Sequence, residues 1–588
     1  MKTRPQAHTN TRVRDICAAA VLLILSVALT LTARASLSLS LATPPKPNSA
    51  TDSEAHVDSS NSHSGTIEWS RCNPNNASLV HECAYIKAPL DHANPNTSTT
   101  ISIALARYKA TVSPRLGAIL INPGGPGGSG KGFALAAGEA ISILTGGQYD
   151  IIGFDPRGIG ESNAIRCFET SYIHSVFDVA SLAVGVPDEN VSKRNLAAFA
   201  ARQKVLAESC GKWSPTILPY LSTTAVARDM DLIRELLGEE LLNYLGVSYG
   251  SFLGSVYANL FPQNVGHLMI DGIMDATTYV ESLPEFFLNN LVDTKDLFKA
   301  FARECEFAGP ERCPLAKLVN KKSTIKKLIE TLLHDLDQEP IPEISASLVP
   351  LIISQDTVKA MLLSAFYEPR LWKSVAGALA ELIESGTGTR AAALFERLRG
   401  GSTQDACSTE NVSGSLGFFA VACLDSTRNK VSLDDWQHAA RANQQISALF
   451  GAQWVWNGLA CRYWPVTAAE RYSGPWNHKT KNKVLIVGNS FDPVTPLASA
   501  MKMEKVMGGN GVLLVQNGYG HTSFAMTSQC TRDYVKAYFV NGTLPKSRTI
   551  CETYGELFPR DLDALDVSPQ AKAVKAVHEY ILKSNFRF

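Results

Sequence analysis

A serine in a glycine-flanked turn is the first residue whose setting suggests chemistry. Ser248 lies at the centre of Gly246-Val247-Ser248-Tyr249-Gly250, a G-x-S-x-G pattern that directly follows a largely apolar run, 241–245. A strand, a sharp turn that carries a serine, and then a helix make a nucleophile elbow, in which side chains at the two glycine positions would clash. Five residues also match this pattern by chance, so the prediction depends on whether the chain supplies a base, an acid and an oxyanion hole.

Two further polar residues follow apolar runs that are typical of strands. Asp492 comes shortly after 483–488, and His521 comes shortly after 511–516. Parallel sheets place their active sites at the carboxyl ends of strands, and the order Ser, Asp, His is that of the α/β-hydrolases. An imidazole accepts the serine proton and later gives it to the leaving group, while a carboxylate fixes the imidazole tautomer. We therefore expect Ser248, Asp492 and His521 to form a catalytic triad.

Two other carboxylates compete for the role of the acid. Asp271 also follows a predicted strand and precedes a glycine, but Asp492 lies one strand unit before the histidine, which is the usual place. Asp155 ends the predicted strand 149–155, and we interpret it as a structural residue that binds N–H groups of the following turn. Asp492 is therefore the predicted acid.

A glycine-rich run, 123–130, directly follows the short apolar strand predicted at 117–122. Such a run exposes backbone N–H groups, and in hydrolases of this kind the loop after the third strand donates one of them to the oxyanion. A Walker loop would need Ser or Thr after Lys131, and a dinucleotide fingerprint would need a suitable acid about 20 residues further on. We predict an oxyanion hole made by the backbone N–H groups of Tyr249 and Gly125.

Strands and helices alternate around these residues, which predicts a mostly parallel sheet with helices on both faces. Residues 222–238 have the spacing of an amphipathic helix, and a second helix is predicted directly after Ser248. Besides the run before Ser248, strands are predicted at 84–88, 100–106, 117–122, 149–155, 267–272, 483–488 and 511–516. The predicted fold class is α/β, with an α/β-hydrolase core.

The strand pattern is interrupted by roughly 200 mainly helical residues, which are far too many for a simple connection. Helices are predicted there at 293–305, 316–337, 355–366, 371–386, 389–399 and 432–450. We therefore predict a core in two parts, 67–276 and 481–588, and a helical lid insertion at 277–480. The lid would decide which molecules reach Ser248.

The charge balance of the 588 residues excludes some partners. Lys plus Arg equals Asp plus Glu, at 55 each, so we predict no nucleic-acid partner. The spacing of Cys and His does not suggest zinc, and we expect neither a metal nor a cofactor.

The first 35 residues have the pattern of a secretory signal. Basic residues precede an apolar stretch, 17–32, and Ala33-Arg34-Ala35 offers a cleavage site before Ser36. The stretch is short for a membrane-spanning helix, which needs about 20 residues. We predict a cleaved signal peptide at 1–35, a disordered linker at 36–66, and a secreted protein without stable membrane association. The alternative is an uncleaved N-terminal anchor.

Cleavage would leave eleven of the twelve cysteines, and in an exported protein most of them should form disulfides. Although sequence does not determine connectivity, proximity favours Cys72–Cys83, Cys305–Cys313 and Cys530–Cys551, with Cys167–Cys210 and Cys423–Cys461 as longer loops and Cys407 left over. Candidate N-glycosylation sites occur at Asn76, Asn96, Asn190, Asn411 and Asn541.

Taken together, the motifs resemble the tripeptidyl aminopeptidase and proline iminopeptidase branch of the α/β-hydrolases, including its TAP-like C-terminal region. The matching segments are 122–130, 155–158, 246–250, 257–262, 486–496, 520–521 and 541–545, with 422–423 and 461–465 in the lid. The resemblance covers 67–560 and implies a secreted exopeptidase that releases short peptides or single residues from free N-termini. It also implies acidic side chains that bind the substrate ammonium, for which Glu281 and Glu285 are candidates. The glycine loop begins Asn-Pro where iminopeptidases usually have His-Gly, which weakens the case for proline specificity.

We therefore predict a serine aminopeptidase. One alternative keeps the triad but acts on an ester, lactone or small amide, because fold does not fix function. A buried carboxylate pair about one peptide length from Ser248 would favour peptides, and a dry apolar pocket would favour esters. A second alternative is an inactive hydrolase fold that only binds a partner, against which the intact triad counts. The sequence does not determine the oligomeric state.

Overall fold

The computed structural model describes residues 66–72, 81–95, 98–181, 184–188, 191–321, 323–346, 350–398, 413–427, 431–560 and 568–585. The predicted signal peptide and nearly all of the predicted linker lie outside these residues, as do Cys407 and the sequons at Asn76, Asn96, Asn190 and Asn411. Asn541 is described, and it is exposed at the end of a helix.

A ten-stranded sheet forms the centre of the fold. The strands of the chain are β1 Ser70–Arg71, β2 His81–Pro89, β3 Thr100–Tyr108, β4 Gly117–Asn122, β5 Tyr149–Phe154, β6 Leu242–Val247, β7 Val265–Asp271, β8 Ile341–Ile344, β9 Pro350–Ile353, β10 Val484–Phe491, β11 Gly511–Tyr519 and β12 Thr549–Glu552. In the large sheet they follow the order β1-β2-β3-β5-β4-β6-β7-β10-β11-β12, while β8 and β9 form a separate pair. Pairings among β1, β2, β3 and β5 are antiparallel, and all pairings from β5 to β12 are parallel.

Helices cover both faces of the parallel strands, and for that reason every residue of β4 and β5 is buried. The helices of this core are α1 Gly130–Leu144, α2 Ser171–Ser181, α3 Lys193–Trp213, α4 Thr223–Leu236, α5 Tyr249–Leu260, α16 Leu497–Val506, α17 Gln529–Asn541 and α18 Pro569–Asn585. The mostly parallel sheet with flanking helices is the predicted α/β-hydrolase architecture, and that prediction is confirmed.

Between β7 and β10, the described residues form ten further α-helices: α6 Ala276–Glu281, α7 Leu283–Asn290, α8 Thr294–Ala308, α9 Ile325–Gln338, α10 Gln355–Tyr367, α11 Trp372–Ser385, α12 Thr389–Leu398, α13 Ser413–Asp425, α14 Leu433–Ile446 and α15 Gly451–Val455. Many of them share a hydrophobic cluster with Phe301, Phe366 and Trp372 at its centre. Val494, which lies two residues after Asp492, belongs to the same cluster. The helical region therefore packs against the segment that follows β10 and contains Asp492.

Some predicted elements of this region differ from the structure. The helix predicted at 316–337 starts only at Ile325, because Thr324 caps it by accepting from the N–H of Lys327. The β8–β9 hairpin was not predicted, since Ile341-Pro342-Glu343-Ile344 is short and contains a proline. Helix α13 was also not predicted, because its sequence has almost no amphipathic periodicity.

Among the cysteines that the structure describes, five disulfides form: Cys72–Cys83, Cys167–Cys210, Cys305–Cys313, Cys423–Cys461 and Cys530–Cys551. These are the five pairs that sequence proximity favours. Within the described ranges, none of the helices has the length and apolar character needed to cross a membrane. The same ranges contain no group of three or more side chains suited to hold a metal ion.

Candidate active site

Ser248 lies in a sharp turn between β6 and α5. Its backbone has φ 57° and ψ −121°, a strained conformation for a residue with a side chain. The Ser248 N–H donates to the carbonyl oxygen of Asp271 over 2.8 Å, which ties the turn to the end of β7. At the Gly250 position, a Cβ would come within 2.9 Å of the Asn122 carbonyl oxygen, so only glycine fits. The local geometry is that of a nucleophile elbow.

The glycine loop packs directly on this turn. Gly124 has φ +95°, and a Cβ at that position would lie 2.6 Å from the Val247 carbonyl oxygen and 2.8 Å from Ser248 Cβ. The same Cβ would lie 3.1 Å from the backbone nitrogen of Tyr249, the first residue of α5. The Gly124 N–H donates to Asn122 Oδ1, which leaves Gly125 as the next donor along the loop. The two predicted oxyanion donors, Tyr249 and Gly125, thus belong to adjacent segments.

Asp492 and His521 contact each other at the ends of β10 and β11. Both carboxylate oxygens of Asp492 lie 3.0 Å from His521 Nδ1, and both side chains are fully buried. Asp492 also accepts from the backbone N–H groups of Val494, Thr495 and Thr522 at 2.8–3.0 Å. Burial raises the pKa of Asp492. The attraction and hydrogen bond of His521, together with these N–H donors, have the larger effect and hold the pKa below its usual range. Asp492 is therefore an ionised partner for the imidazole.

The second imidazole nitrogen, His521 Nε2, is buried and has no hydrogen-bond partner among the described residues. A Cβ on Gly272 would lie 3.4 Å from His521 Cε1. Gly272 directly follows Asp271, whose carbonyl oxygen holds the Ser248 N–H. The His521 ring, with its unpartnered Nε2, therefore lies near the end of β7, which also holds the turn of Ser248.

The rival carboxylates have other partners. Asp271 accepts from the N–H of Ser523 at 3.1 Å and from its hydroxyl at 2.5 Å. Burial, with a contribution from the negative charge of Asp492, raises the pKa of Asp271 to about 7. Asp155 accepts from the N–H groups of Lys131 and Glu161, in agreement with its interpretation as a turn residue. The imidazole of His521 is paired with Asp492, not with either of these acids.

Three polar side chains near this site were not predicted from the sequence. Thr495 Oγ1 lies 3.2 Å from His521 Nδ1. Asp293, between α7 and α8, is largely buried, and its burial together with the charge of Asp492 raises its pKa to about 7. Asp425, at the end of α13, accepts from the N–H and the hydroxyl of Thr223 at 2.8 and 2.6 Å. Of these three residues, only Thr495 lies in a segment that the sequence analysis singled out, 486–496, where it follows Asp492 by three residues.

The two acids that the sequence suggests for ammonium binding are at the surface. Glu281 ends α6 and Glu285 is in the first turn of α7, and both side chains are exposed. Asp425, in contrast, is 2 % exposed, and Thr223 Oγ1 connects it to the hydroxyl of Tyr249, the residue after the nucleophile. Burial raises the pKa of Asp425 to about 7, although Arg471 and the hydrogen bonds from Thr223 oppose this shift. Asp425 is therefore a buried carboxylate that Thr223 links to the residue after Ser248.

The chain is similar to known hydrolases over most of its length. The alpha/beta hydrolase fold family model matches residues 117–309, and the TAP-like protein model matches residues 447–551. The chain is 29% identical to the serine protease Hip1 of Mycobacterium tuberculosis, with 82% of this chain and 91% of Hip1 covered. It is also 29% identical to the tripeptidyl aminopeptidase of Streptomyces coelicolor, with 81% and 84% covered. A third relative, carboxylesterase B of Mycobacterium tuberculosis, is 29% identical over 80% of this chain and 86% of its own.

The elbow, the sheet order and these matches agree with the resemblance noted in the sequence motifs. The chain is a peptidase-like serine hydrolase of the α/β-hydrolase fold with a TAP-like C-terminal region, similar over most of its length to tripeptidyl aminopeptidases and related serine proteases.

Proposed function

We propose that this chain is a secreted aminopeptidase that releases short peptides or single residues from free N-termini, with Ser248, His521 and Asp492 as its triad. The contact of Asp492 with His521 Nδ1, which leaves Nε2 buried and unpartnered beside the elbow strand, carries the proposal. A neutral imidazole with its proton on Nδ1 can accept a proton only at Nε2. That is the nitrogen that the chemistry requires.

The reaction would proceed through an acyl-enzyme. Ser248 Oγ attacks the scissile carbonyl carbon while its proton moves to His521 Nε2, and the carbonyl oxygen becomes an oxyanion. Collapse of the tetrahedral intermediate breaks the C–N bond, and the imidazolium gives its proton to the leaving amine. Water then repeats the sequence to release the acyl group. The ionised Asp492 stabilises the imidazolium in both halves.

The oxyanion would be held by the backbone N–H groups of Tyr249 and Gly125. Tyr249 begins α5, and the first N–H groups of a helix have no partner within the helix. The close packing of Gly124 on Ser248 brings the loop within reach of the reacting carbon. Removal of one oxyanion donor typically costs ~3 kcal/mol of transition-state stabilisation.

Peptide substrates are favoured because two of the relatives are named as a serine protease and a tripeptidyl aminopeptidase. We further assign the binding of the substrate ammonium to Asp425 in place of the exposed Glu281 and Glu285. A carboxylate offers about four acceptor sites, and Thr223 uses two of them. A positive ammonium beside Asp425 would favour its ionised form.

Matched peptides with free and acetylated N-termini test the proposal. The wild type should cleave only the free peptides, and Ser248→Ala should cleave neither. Asp425→Asn should raise KM for free peptides at least ~30-fold, because a buried charge partner is lost, whereas Glu285→Gln should change little. Cleavage that ignores acetylation would refute the aminopeptidase activity, while labelling of Ser248 by a fluorophosphonate would still support a serine hydrolase.

The pH dependence of KM provides a further check on Asp425. Because its pKa is raised to about 7, ionisation as the pH rises through this value should strengthen ammonium binding and lower KM. The gain should end near pH ~8, where the substrate amine loses its proton. In Asp425→Asn the decrease in KM should be absent.

An ester substrate is the second candidate function, because one relative is named carboxylesterase B. The same triad hydrolyses both kinds of acyl compound. Comparison of kcat/KM for a tripeptide anilide and for short-chain nitrophenyl esters separates the two. A higher kcat/KM for the esters than for the tripeptide anilide would favour the esterase.

Export and domain organisation are part of the same proposal. The five disulfides fit an oxidising compartment, which agrees with a cleaved signal at 1–35 and with N-glycosylation at exposed positions such as Asn541. Edman sequencing of the exported protein should start near Ser36, and a longer N-terminus would indicate an anchor.

We assign 277–480 to a lid between the two core parts, 67–276 and 481–588.

A further inference from the structure

His578 lies on the C-terminal helix α18, 57 residues beyond His521 in the chain. Its ring is completely buried, and its Nε2 lies 3.1 Å from the backbone carbonyl oxygen of His521. A carbonyl oxygen only accepts hydrogen bonds, so His578 Nε2 must carry a proton and donate it. The helix therefore contributes one side chain that binds the main chain of the proposed base.

The other side of the His578 ring is fixed by an ion pair from the lid. His578 Nδ1 lies 2.6 Å from Glu368 Oε2, and Arg370 binds both oxygens of Glu368 at 2.7 and 2.8 Å. Burial raises the pKa of Glu368, but the charges and hydrogen bonds of His578 and Arg370 lower it to about 2. Burial lowers the pKa of His578, and Glu368 opposes that shift. Arg370 Nη2 also lies 3.1 Å from His578 Nδ1, so Nδ1 accepts from Arg370 when the ring is neutral and donates to Glu368 when the ring is protonated. In both states the Glu368–Arg370 pair fixes the ring so that Nε2 points at His521.

The carbonyl that His578 binds belongs to a peptide group with a second role. The other end of the same group is the N–H of Thr522, which donates to Asp492 Oδ2 over 2.8 Å. Thr522 has φ +69°, which is unfavourable for a β-branched residue. Rotation of this peptide group would relieve the strain at Thr522, but it would break both hydrogen bonds. One peptide plane is therefore pinned at its oxygen by His578 and at its nitrogen by Asp492.

We propose that His578 is a positioning residue that locks the His521–Thr522 peptide group and so keeps Asp492 and His521 in register for catalysis. This inference rests on the proposed triad. Three separate parts of the chain support the base: the lid, where Glu368 and Arg370 act through His578; the C-terminal helix, which carries His578; and the residue that follows β10, Asp492. Tyr367, which precedes Glu368 in the lid, also contacts the base directly, because its carbonyl oxygen accepts the His521 N–H over 3.0 Å.

Two amide substitutions separate the contacts of the His578 ring. The amide nitrogen of Gln reaches the place of Nε2, so His578→Gln keeps a donor for the His521 carbonyl and loses the contact with Glu368. The shorter Asn places its polar atoms near Nδ1, so His578→Asn keeps the contact with Glu368 and loses the donor. If His578 only supports the packing of the helix, the Asn variant should not react more slowly at Ser248 than the Gln variant.

The measurement is the rate constant for labelling of Ser248 by a fluorophosphonate, together with the thermal midpoint of each full-length variant. We expect His578→Asn to react about tenfold more slowly than the wild type, with His578→Gln within about threefold. For peptide cleavage the loss should be in kcat and not in KM. If His578→Asn does not fold, His578→Leu, which fills the space without a donor, takes its place.

The outcomes separate this inference from the proposed function. A wild-type chain that is not labelled at Ser248 removes the triad and this inference with it. A wild type that reacts, with Asn and Gln variants that react at equal rates or with Gln slower, overturns the role of His578 and leaves the triad standing. Slow Asn and fast Gln variants with similar thermal midpoints support the role.

Discussion

Ser248 and the imidazole that would activate it are held in place by different means. The elbow half consists of Ser248, Gly124 and the Asp271 carbonyl, and its contacts are made by backbone atoms and glycines. The imidazole half consists of Asp492 and His521, and its supports are Thr495, Tyr367 and His578 with its ion pair. The first is built from neighbouring strands of the sheet, and the second also from the helical region and the C-terminal helix.

The difference predicts two kinds of response to mutation. In the elbow half there is no spare volume, so an added methyl group forces the backbone to move. In the imidazole half each support is one hydrogen bond among several, so single losses should weaken catalysis in steps of about tenfold or less. The residues of the proposed triad are the exception, because the members of a triad act as one unit.

The largest effects on kcat should come from removing the nucleophile or the base. Ser248→Ala and His521→Ala should each lower kcat about 10⁶-fold, and the double variant should lose little more, since the serine has no function without its base. Single-turnover kinetics with a peptide anilide measures all three. Additive losses in the double variant would show that the two residues act separately, which would contradict a triad.

Asp492→Asn should lower kcat about 10⁴-fold, because the amide holds His521 in the wrong tautomer. Asp271→Asn is the matched control: Asp271 is equally buried, and it ends the neighbouring strand β7, but it binds Ser523 instead of the imidazole. Its activity should stay within about tenfold of the wild type. A larger loss in Asp271→Asn than in Asp492→Asn would mean that the acid has been assigned to the wrong strand.

Gly124→Ala should lower kcat about 10²–10³-fold, comparable to the loss of an oxyanion donor. The new Cβ would lie 2.8 Å from Ser248 Cβ, and the φ of +95° is itself unfavourable for alanine. Gly309→Ala is the control: Gly309 also has a positive φ, of +72°, but nothing lies within 4 Å of the added Cβ. It should cost ~1 kcal/mol of stability and leave kcat unchanged.

These halves also differ in how well the sequence predicted them. The elbow could be located because its constraints lie within five residues, and the glycines at 246 and 250 are their direct result. Asp492 and His521 could be located because parallel strands place their carboxyl ends at one edge. The supports of His521 could not, because Glu368 and His578 come from segments 210 residues apart with no motif around either.

The same reasoning applies to the acids that were candidates for the ammonium site. The sequence suggests Glu281 and Glu285 because they are acids early in the helical region, but amphipathic helices expose such residues, and both are exposed. Asp425 lies at the end of α13, a helix without amphipathic periodicity, so neither the helix nor the burial of its last residue was predictable. Burial of a polar residue depends on tertiary contacts that sequence periodicity does not encode.

The smallest effect should come from Thr495, the weakest support of the imidazole. Its hydroxyl lies 3.2 Å from His521 Nδ1, beside the stronger contact with Asp492, while its N–H donates to Asp492 independently of the side chain. Thr495→Val keeps the shape and the backbone bond but removes the hydroxyl, so kcat should fall about three- to tenfold with KM unchanged. Thr495→Ser keeps the hydroxyl and should retain most of the activity. Equal kcat values for Val and Ser would show that the hydroxyl does not act on the imidazole, and that main-chain contacts support this half of the site as they support the elbow.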